Sequence, residues 1–231
     1  MIHLVSLAFG SFAPIEPFNE SFRPGHPKMC LTVDAETPAR LADPVLHQLL
    51  VEAFPGLAAH ECRADRGPRG PRAGIVLVAG DSAANQAHLL EHLTLEMLSF
   101  LDGIRRLSGV TCAYASPPER SDVFVECAQP ESGSLAALVA LEAVNAALAG
   151  APLVPEYPDM LLCARELRTR AAGAWLATGL ARATGLSRGR TAAALGALSR
   201  VRVVEEESYA MNFSGEPLYR FVGVGDATGQ A

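Results

Sequence analysis

Asp81-Ser82-Ala83-Ala84-Asn85-Gln86-Ala87-His88-Leu89-Leu90-Glu91-His92-Leu93-Thr94-Leu95-Glu96-Met97-Leu98-Ser99-Phe100-Leu101 is the stretch on which the fold turns. Asp81 and Ser82 each suit the start of a helix, because a side-chain oxygen there accepts from amides that the first turn leaves without partners. Behind them Asn85, His88, His92, Glu96 and Ser99 recur three or four residues apart, which puts them on one face of a helix reaching about Leu101. Strands are expected on both sides of it, over residues 2–8, 29–34 and 74–78 before it, and 110–115 and 122–126 after it, the last two joined by a loop at 116–121. Residues 63–72 are rich in Arg, Gly and Pro and read as a loop. Two further helices are expected. One covers residues 38–54, with Leu41, Val45, Leu46, Leu49 and Leu50 on one face, and the other is the Ala-rich stretch 134–148. Mixed strands with helices on one side predict an α+β architecture, an α/β sandwich.

Within the long helix, His88-Leu89-Leu90-Glu91-His92 carries the clearest chemistry. Residues four apart stack on one face, so His88 and His92 can offer two imidazole nitrogens to one ion, each about 2.0–2.1 Å from zinc. Glu91, one turn from His88, is in reach of a zinc-activated water as its base. The order His-x-x-Glu-His is that of inverted zincins. The same residues also suit a solvated polar stripe, since Asn85, Glu96 and Ser99 share that side. A catalytic zinc keeps three protein ligands and one open position, so a third ligand must come from elsewhere. Glu126 closes the strand Val123-Phe124-Val125-Glu126. If that strand alternates, it shares a face with Phe124, expected to be the one toward the helix. Glu131, at the start of the next helix, is the second candidate, and an exposed strand-end carboxylate is the competing reading of Glu126.

Over residues 29–148 the segments follow one another in the order of a known family. A strand and a helix end in Phe54-Pro55-Gly56-Leu57, and Ala58-Ala59-His60-Glu61-Cys62 comes next. A Gly/Arg-rich loop leads to His88-Leu89-Leu90-Glu91-His92-Leu93-Thr94-Leu95-Glu96. After it come Gly109-Val110, Asp122-Val123-Phe124-Val125-Glu126 and Glu131-Ser132-Gly133 before an Ala-rich helix. This resembles the N-terminal domain of cyanophycin synthetases, which carry similar Pro-x-Leu-x-x-His-x-Cys and His-x-x-Glu-His-x-x-Leu-Glu segments. In some members that domain looks like a zinc hydrolase that trims the Asp–Arg polymer. The resemblance implies His88 and His92 as zinc ligands, Glu91 as base and His60 as a catalytic-site neighbour. It departs from the family at Cys127-Ala128-Gln129-Pro130, where members carry an acidic segment, and in the Gly/Arg loop. The ATP-grasp and Mur-ligase-like parts of a synthetase have no counterpart in these 231 residues, so polymer synthesis is not expected of them.

Ala149-Gly150-Ala151-Pro152-Leu153-Val154-Pro155-Glu156-Tyr157-Pro158 reads as a linker, three prolines in seven residues favouring an extended path. The expected division is a first domain over 1–150, a Pro-rich linker over 151–160 and a second domain over 161–231. Charge changes across it: from Leu161 on, nine Arg face six acids, +3, which leaves −9 of the total −6 on residues 1–160. In the second part, residues 176–187 resemble the first helix and turn of a helix-turn-helix, with Gly185 at the turn and Ser187 capping a helix over 188–198. Residues 201–208 and 216–222 read as a two-stranded wing around Asn212-Phe213-Ser214-Gly215, so a smaller winged-helix-like domain is expected. Arg188 and Arg190 begin the would-be recognition helix and can meet phosphates, with Arg182 and Arg200 nearby. Glu205-Glu206-Glu207 lies on the wing, where like charge repels DNA, which favours a protein-interaction or dimerisation module. The tail, residues 223–231, is small and Gly-rich and is expected to fray.

Bulk properties narrow the classes. At 49% hydrophobic and 19% charged residues, the composition is that of a packed globular protein. No apolar run spans a bilayer, and no signal-peptide pattern opens the chain. The cysteines, Cys30, Cys62, Cys112, Cys127 and Cys163, are odd in number, scattered and without a Cys-x-x-Cys. They read as reduced thiols in a cytoplasmic protein rather than a disulfide framework. Lys28 is the lone lysine among many arginines, which reads as composition rather than mechanism. The expectation is a zinc-dependent hydrolase of a peptide or isopeptide bond, of Asp–Arg type among the candidates. Its partners are a small peptide-like substrate, DNA through the second domain, a further copy of the chain, and no membrane. The competing expectation is a transcription regulator whose first domain senses a ligand and does no chemistry.

Overall fold

The computed structural model describes residues 1–36, 41–62, 72–73, 75–104, 106–151, 156–169, 173–207 and 216–222. Most of the expected Arg/Gly/Pro loop, Gly74, Pro152 and Pro155 of the linker, the wing tip at 212–215 and the tail from 223 lie outside the described residues. The chain divides into two compact units, Met1–Leu153 and Val154–Ala231.

In the first unit the elements are β1 (Ile2–Gly10), β2 (Lys28–Ala35), α1 (Asp43–Ala53), β3 (Glu61–Cys62), β4 (Arg72–Ala73), α2 (Ser82–Asp102), β5 (Gly109–Ala113), β6 (Arg120–Glu126) and α3 (Pro130–Leu148). The architecture is α+β. Four antiparallel strands in the order β1-β2-β6-β5 form the main sheet, and β3 pairs with β4 apart from it. Helix α2 packs on β2, β5 and β6, α3 on β1 and β2, and α1 against both helices.

Helix α2 starts as its sequence predicts, the Asp81 carboxylate accepting from the Ala84 N–H at 3.1 Å. Residues 75–78, expected as a strand, form none. At the end of this stretch Asn85 takes the place of a strand partner for Val78: its Oδ1 accepts from the Val78 N–H and its Nδ2 donates to the Val78 carbonyl, both at 2.7 Å. Helix α3 begins one turn before its expected start. It alone among the described helices has the length and composition to cross a membrane, and 67% of that stretch is buried within the protein, as befits a core helix.

The central strands β2 and β6 are covered on both faces. Thr111 and Gly109 look at α2, and their register partners Val123 and Val125 share that face with no exposure. On the other face Phe22, Cys30 and Phe124 cluster with Phe12, Ile15, Val110 and Cys112. Residues 11–27 cover this face as a strap. Lys28, fully buried, pins it: Nζ donates to Glu16 Oε1 at 2.8 Å, to the His26 carbonyl at 3.0 Å and to the Ser11 carbonyl at 3.1 Å. The lone lysine is therefore a structural cation with its donors satisfied, not a mere mark of composition.

In the second unit lie α4 (Glu156–Thr169), β7 (Trp175–Leu176), α5 (Ala177–Thr184), α6 (Arg188–Arg200), β8 (Val204–Glu207) and β9 (Leu218–Phe221). Helix α4 starts inside the stretch read as linker, with Pro158 in its first turn, where a missing N–H costs nothing. It packs on α5 and α6. Gly185 turns the chain at φ 72°, and Ser187 Oγ accepts from the Arg190 N–H at 3.3 Å to cap α6. The strands form an antiparallel sheet in the order β7-β9-β8.

Candidate metal centre

The site is built where a strand meets a helix. A 3-10 turn, Pro55–Ala59, ends at His60, and the chain then extends through Glu61 and Cys62. On extended backbone, alternate residues point the same way, so His60 and Cys62 share a side, about 6.6 Å apart along the chain. On α2, His88 and His92 share a face about 6 Å apart along the axis. The two spacings match. Cys62 meets His88 and His60 meets His92.

Cys62 Sγ lies 3.4 Å from His88 Nε2, and His88 Nε2 lies 3.1 Å from His92 Nε2. All three ligand atoms lie within 4.8 Å of one another, with Cys62 and His92 buried and His88 half-buried. Around one tetrahedral zinc, two nitrogens stand about 3.3 Å apart and a sulfur and a nitrogen about 3.6 Å. The donor set and the two edges that meet at His88 therefore fit a metal ion. A thiolate with two imidazoles is a donor set for a transition-metal ion, and among the described residues three ligands converge.

His60 stands behind His92. Its Nδ1 is 3.0 Å from His92 Nδ1, and its Nε2 is 3.1 Å from Glu96 Oε2. Burial pulls His88 below the ordinary imidazole value, against a backbone hydrogen bond with Val76. Burial, then the neighbouring His88, His60 and His47, push His92 down to about 2. Both rings are therefore neutral at pH 7, the form that binds metal.

Glu91 is buried on the flank of α2 that faces the sheet. Its Oε2 accepts from Thr111 Oγ1 at 2.6 Å. Burial pushes its carboxyl up to about 7, with the Thr111 hydroxyl working the other way.

Glu126 does not join the histidines. Alternation does give it the face of Phe124, but that face carries the strap and looks away from α2. There, 1% exposed, its Oε1 accepts from the Arg23 N–H at 2.8 Å and from Arg23 Nε at 3.3 Å, and its Oε2 accepts from Nη2 at 3.4 Å. Glu131 is exposed in the first turn of α3. Cys62 stands where a carboxylate was expected. The signal for it was the two-residue step from His60, set against the four-residue step on the helix.

In the second unit Arg188 is exposed at the start of α6. Arg190 is committed to Asp159 of α4 through Nε at 2.8 Å and Nη2 at 2.6 Å, a forked pair on a buried carboxylate. No protein-family model matches the chain, and no curated protein matches it.

Proposed function

We propose that residues 1–153 form a zinc-dependent hydrolase of peptide or isopeptide bonds, with Cys62, His88 and His92 holding the ion. The observation that carries this reading is the convergence of one thiol and two neutral imidazoles, their ligand atoms within 4.8 Å of one another. The likeness to the cyanophycin-synthetase N-terminal domain adds to it and suggests an Asp–Arg-type substrate. Bound zinc supplies Lewis acidity toward a carbonyl and toward water. The chain's own part is to keep both rings neutral by burial and to supply Glu91, next in sequence to His92 and hydrogen-bonded to Thr111, as the base that would take the proton of the attacking water and return it to the leaving amine. The test is Glu91→Gln. It keeps zinc and fold while cleavage of an Asp–Arg or related peptide disappears. Equal turnover by parent and variant removes Glu91 from the mechanism, and no cleavage by the zinc-loaded parent across a broad peptide screen removes the hydrolase reading in favour of ligand sensing.

For residues 154–231 we read a winged-helix-like module that binds protein rather than DNA. The turn at Gly185, the Ser187 cap and the antiparallel β8–β9 pair support the fold. Arg190 is already paired, and Glu205 and Glu206 are exposed on β8, which disfavours a phosphate backbone. Binding to a duplex that weakens steeply with salt would return the module to DNA recognition.

A further inference from the structure

The geometry points to His60 and Glu96 as a directional hydrogen-bond relay that fixes the tautomer of His92 and tightens its hold on the metal; the inference deepens the reading of Cys62, His88 and His92 as a metal centre. The argument is one of proton count. His92 turns Nε2 toward His88 and Cys62, so a metal held there takes that nitrogen's lone pair. A neutral ring then carries its proton on Nδ1. Nδ1 lies 3.0 Å from His60 Nδ1, so His92 donates and His60 accepts. A His60 ring that accepts at Nδ1 carries its proton on Nε2, and that nitrogen lies 3.1 Å from Glu96 Oε2. Each link admits one direction only, from metal to carboxylate. Metal-bound histidines gain basicity and orientation when the other nitrogen donates to a carboxylate, and here one ring is interposed.

A glycine makes room for the end of the chain. A Cβ on Gly56 would stand 1.9 Å from Glu96 Oε1 and 2.5 Å from Cδ, and the backbone there does not require glycine's left-handed region. The three heavy atoms nearest that carbon all belong to the Glu96 carboxylate, which takes the space above Gly56. His60 and Glu96 are positioning residues. Neither lies in the three-ligand set.

The test measures zinc affinity by competition with a chromophoric chelator on the full chain at pH 7.5, with cobalt absorption as a spectroscopic check. One equivalent of zinc is expected. Glu96→Ala weakens binding by about 10–100-fold, the range for lost outer partners of a metal-bound histidine. Glu96→Gln, whose amide oxygen still accepts from Nε2–H, recovers much of the loss, which a role in packing alone would not explain. Gly56→Ala reproduces Glu96→Ala by driving the carboxylate away, and the double variant is no weaker than Glu96→Ala, because the clash is gone. Nitrogen-15 spectra of the zinc-loaded parent, which need no variant, show His92 protonated at Nδ1 and His60 at Nε2. Parental affinity in Glu96→Ala, two equivalents of zinc with an ion between His60 and His92, a parent that takes up no metal, or the opposite tautomers would each overturn the relay. A peptide screen without cleavage leaves these results untouched and removes only the hydrolase.

Discussion

Gly109 on β5 and Glu91 on α2 meet with no side chain between them: a Cβ on Gly109 would lie 2.8 Å from Glu91 Oε1 and 2.9 Å from its Cγ. Two residues along, Thr111 donates to the same carboxyl. A bare Cα thus gives a buried acid its space, and the next inward-facing side chain gives it a hydrogen bond. Glu91 is 4% exposed, and among the described residues its carboxyl takes its hydrogen bond from Thr111 and its space from the gap at Gly109.

Gly109→Ala therefore crowds a boxed side chain rather than a mobile one. We expect a loss of about 1–3 kcal/mol, the usual cost of overpacking, measured by denaturant unfolding. Metal stoichiometry stays at the parental value, because Glu91 is not a ligand. If Glu91 is the base, turnover falls with it. A variant as stable as the parent, with unchanged turnover, would show that Glu91 has another place to go.

Metal removal destabilises the first unit. A ligand at a hundred times its Kd adds about 2.7 kcal/mol, and for a domain of this size each kcal/mol moves Tm by about 2–4 °C, so chelation lowers Tm by about 5–10 °C. Zinc also shields the Cys62 thiol from alkylation, whereas Cys30 and Cys163, with thiols pushed up to about 12 by burial, react slowly with or without it. Calorimetry with and without chelator, and mass mapping of alkylated cysteines, check both.

The pH dependence of binding follows from the same burial. His88 and His92 are held below the ordinary imidazole value, so neither gives up a proton to the metal near neutrality. The two rings therefore add no slope of their own to the pH dependence of metal affinity near neutrality. A slope of two or three would mean charged rings. In the metal-free protein the sign is set by the unfolded chain. Its histidines take up protons below about pH 6.5 while the folded rings resist, so stability present above that pH is lost as pH falls toward 5. Denaturant midpoints of chelated protein across that window test it, and a His88→Gln, His92→Gln variant shows a flatter profile.

The sequence carried α2 well, because capping at Asp81 and the polar stripe are local signals that tertiary packing did not override. It carried the antiparallel partner β6 and the Gly185–Ser187 turn for the same reason. Helix α4 stayed hidden because Pro152, Pro155 and Pro158 read as linker, although a proline in a first turn lacks only an N–H that would have had no partner. The strap over residues 11–27 has no periodicity to announce it, and Lys28 gave no hint in one dimension that its ammonium group is fully buried. With the strap unseen, alternation along β6 could pair Glu126 with Phe124 but could not tell which face looks at the helix. The third ligand followed that ambiguity, and Cys62 was legible only as part of His-x-Cys.

In the second unit the two arginines at the start of α6 separate by role. Arg190→Ala leaves the buried Asp159 carboxylate without its fork and lowers the melting temperature of this unit. Arg188→Ala, at an exposed position, leaves it unchanged. If duplex binding is detected, Arg188→Ala reduces the salt slope by about one. Equal thermal effects of the two substitutions would mean that the Asp159 pair contributes no stability.

Glu126 and Cys62 give the sharpest test of the ligand set, because each is a buried potential ligand and only one can complete the histidine pair. Glu126 has its oxygens occupied by the backbone and guanidinium of Arg23, while its own N–H donates to the Ser108 carbonyl at 2.8 Å. Glu126→Ala takes away the acceptor of a backbone amide and of a charged side chain and unpins the strap at one point. The expected cost is about 1 kcal/mol of stability, that of a part-buried hydrogen bond, read by denaturant unfolding. The metal stays, because the far face of the sheet has no part in holding it. Cys62→Ala does the reverse. It removes a small side chain at the edge of the core and one of three donors, so zinc affinity falls at least tenfold. The cobalt complex also loses the intense near-ultraviolet band that thiolate coordination produces. Glu126→Asp supplies the internal control: its shortened carboxylate weakens the Arg23 contacts and leaves zinc content at one equivalent. Loss of zinc in Glu126→Ala with full retention in Cys62→Ala would return the third ligand to the strand end and require the sheet face to turn toward α2, against the register that pairs Val125 with Gly109.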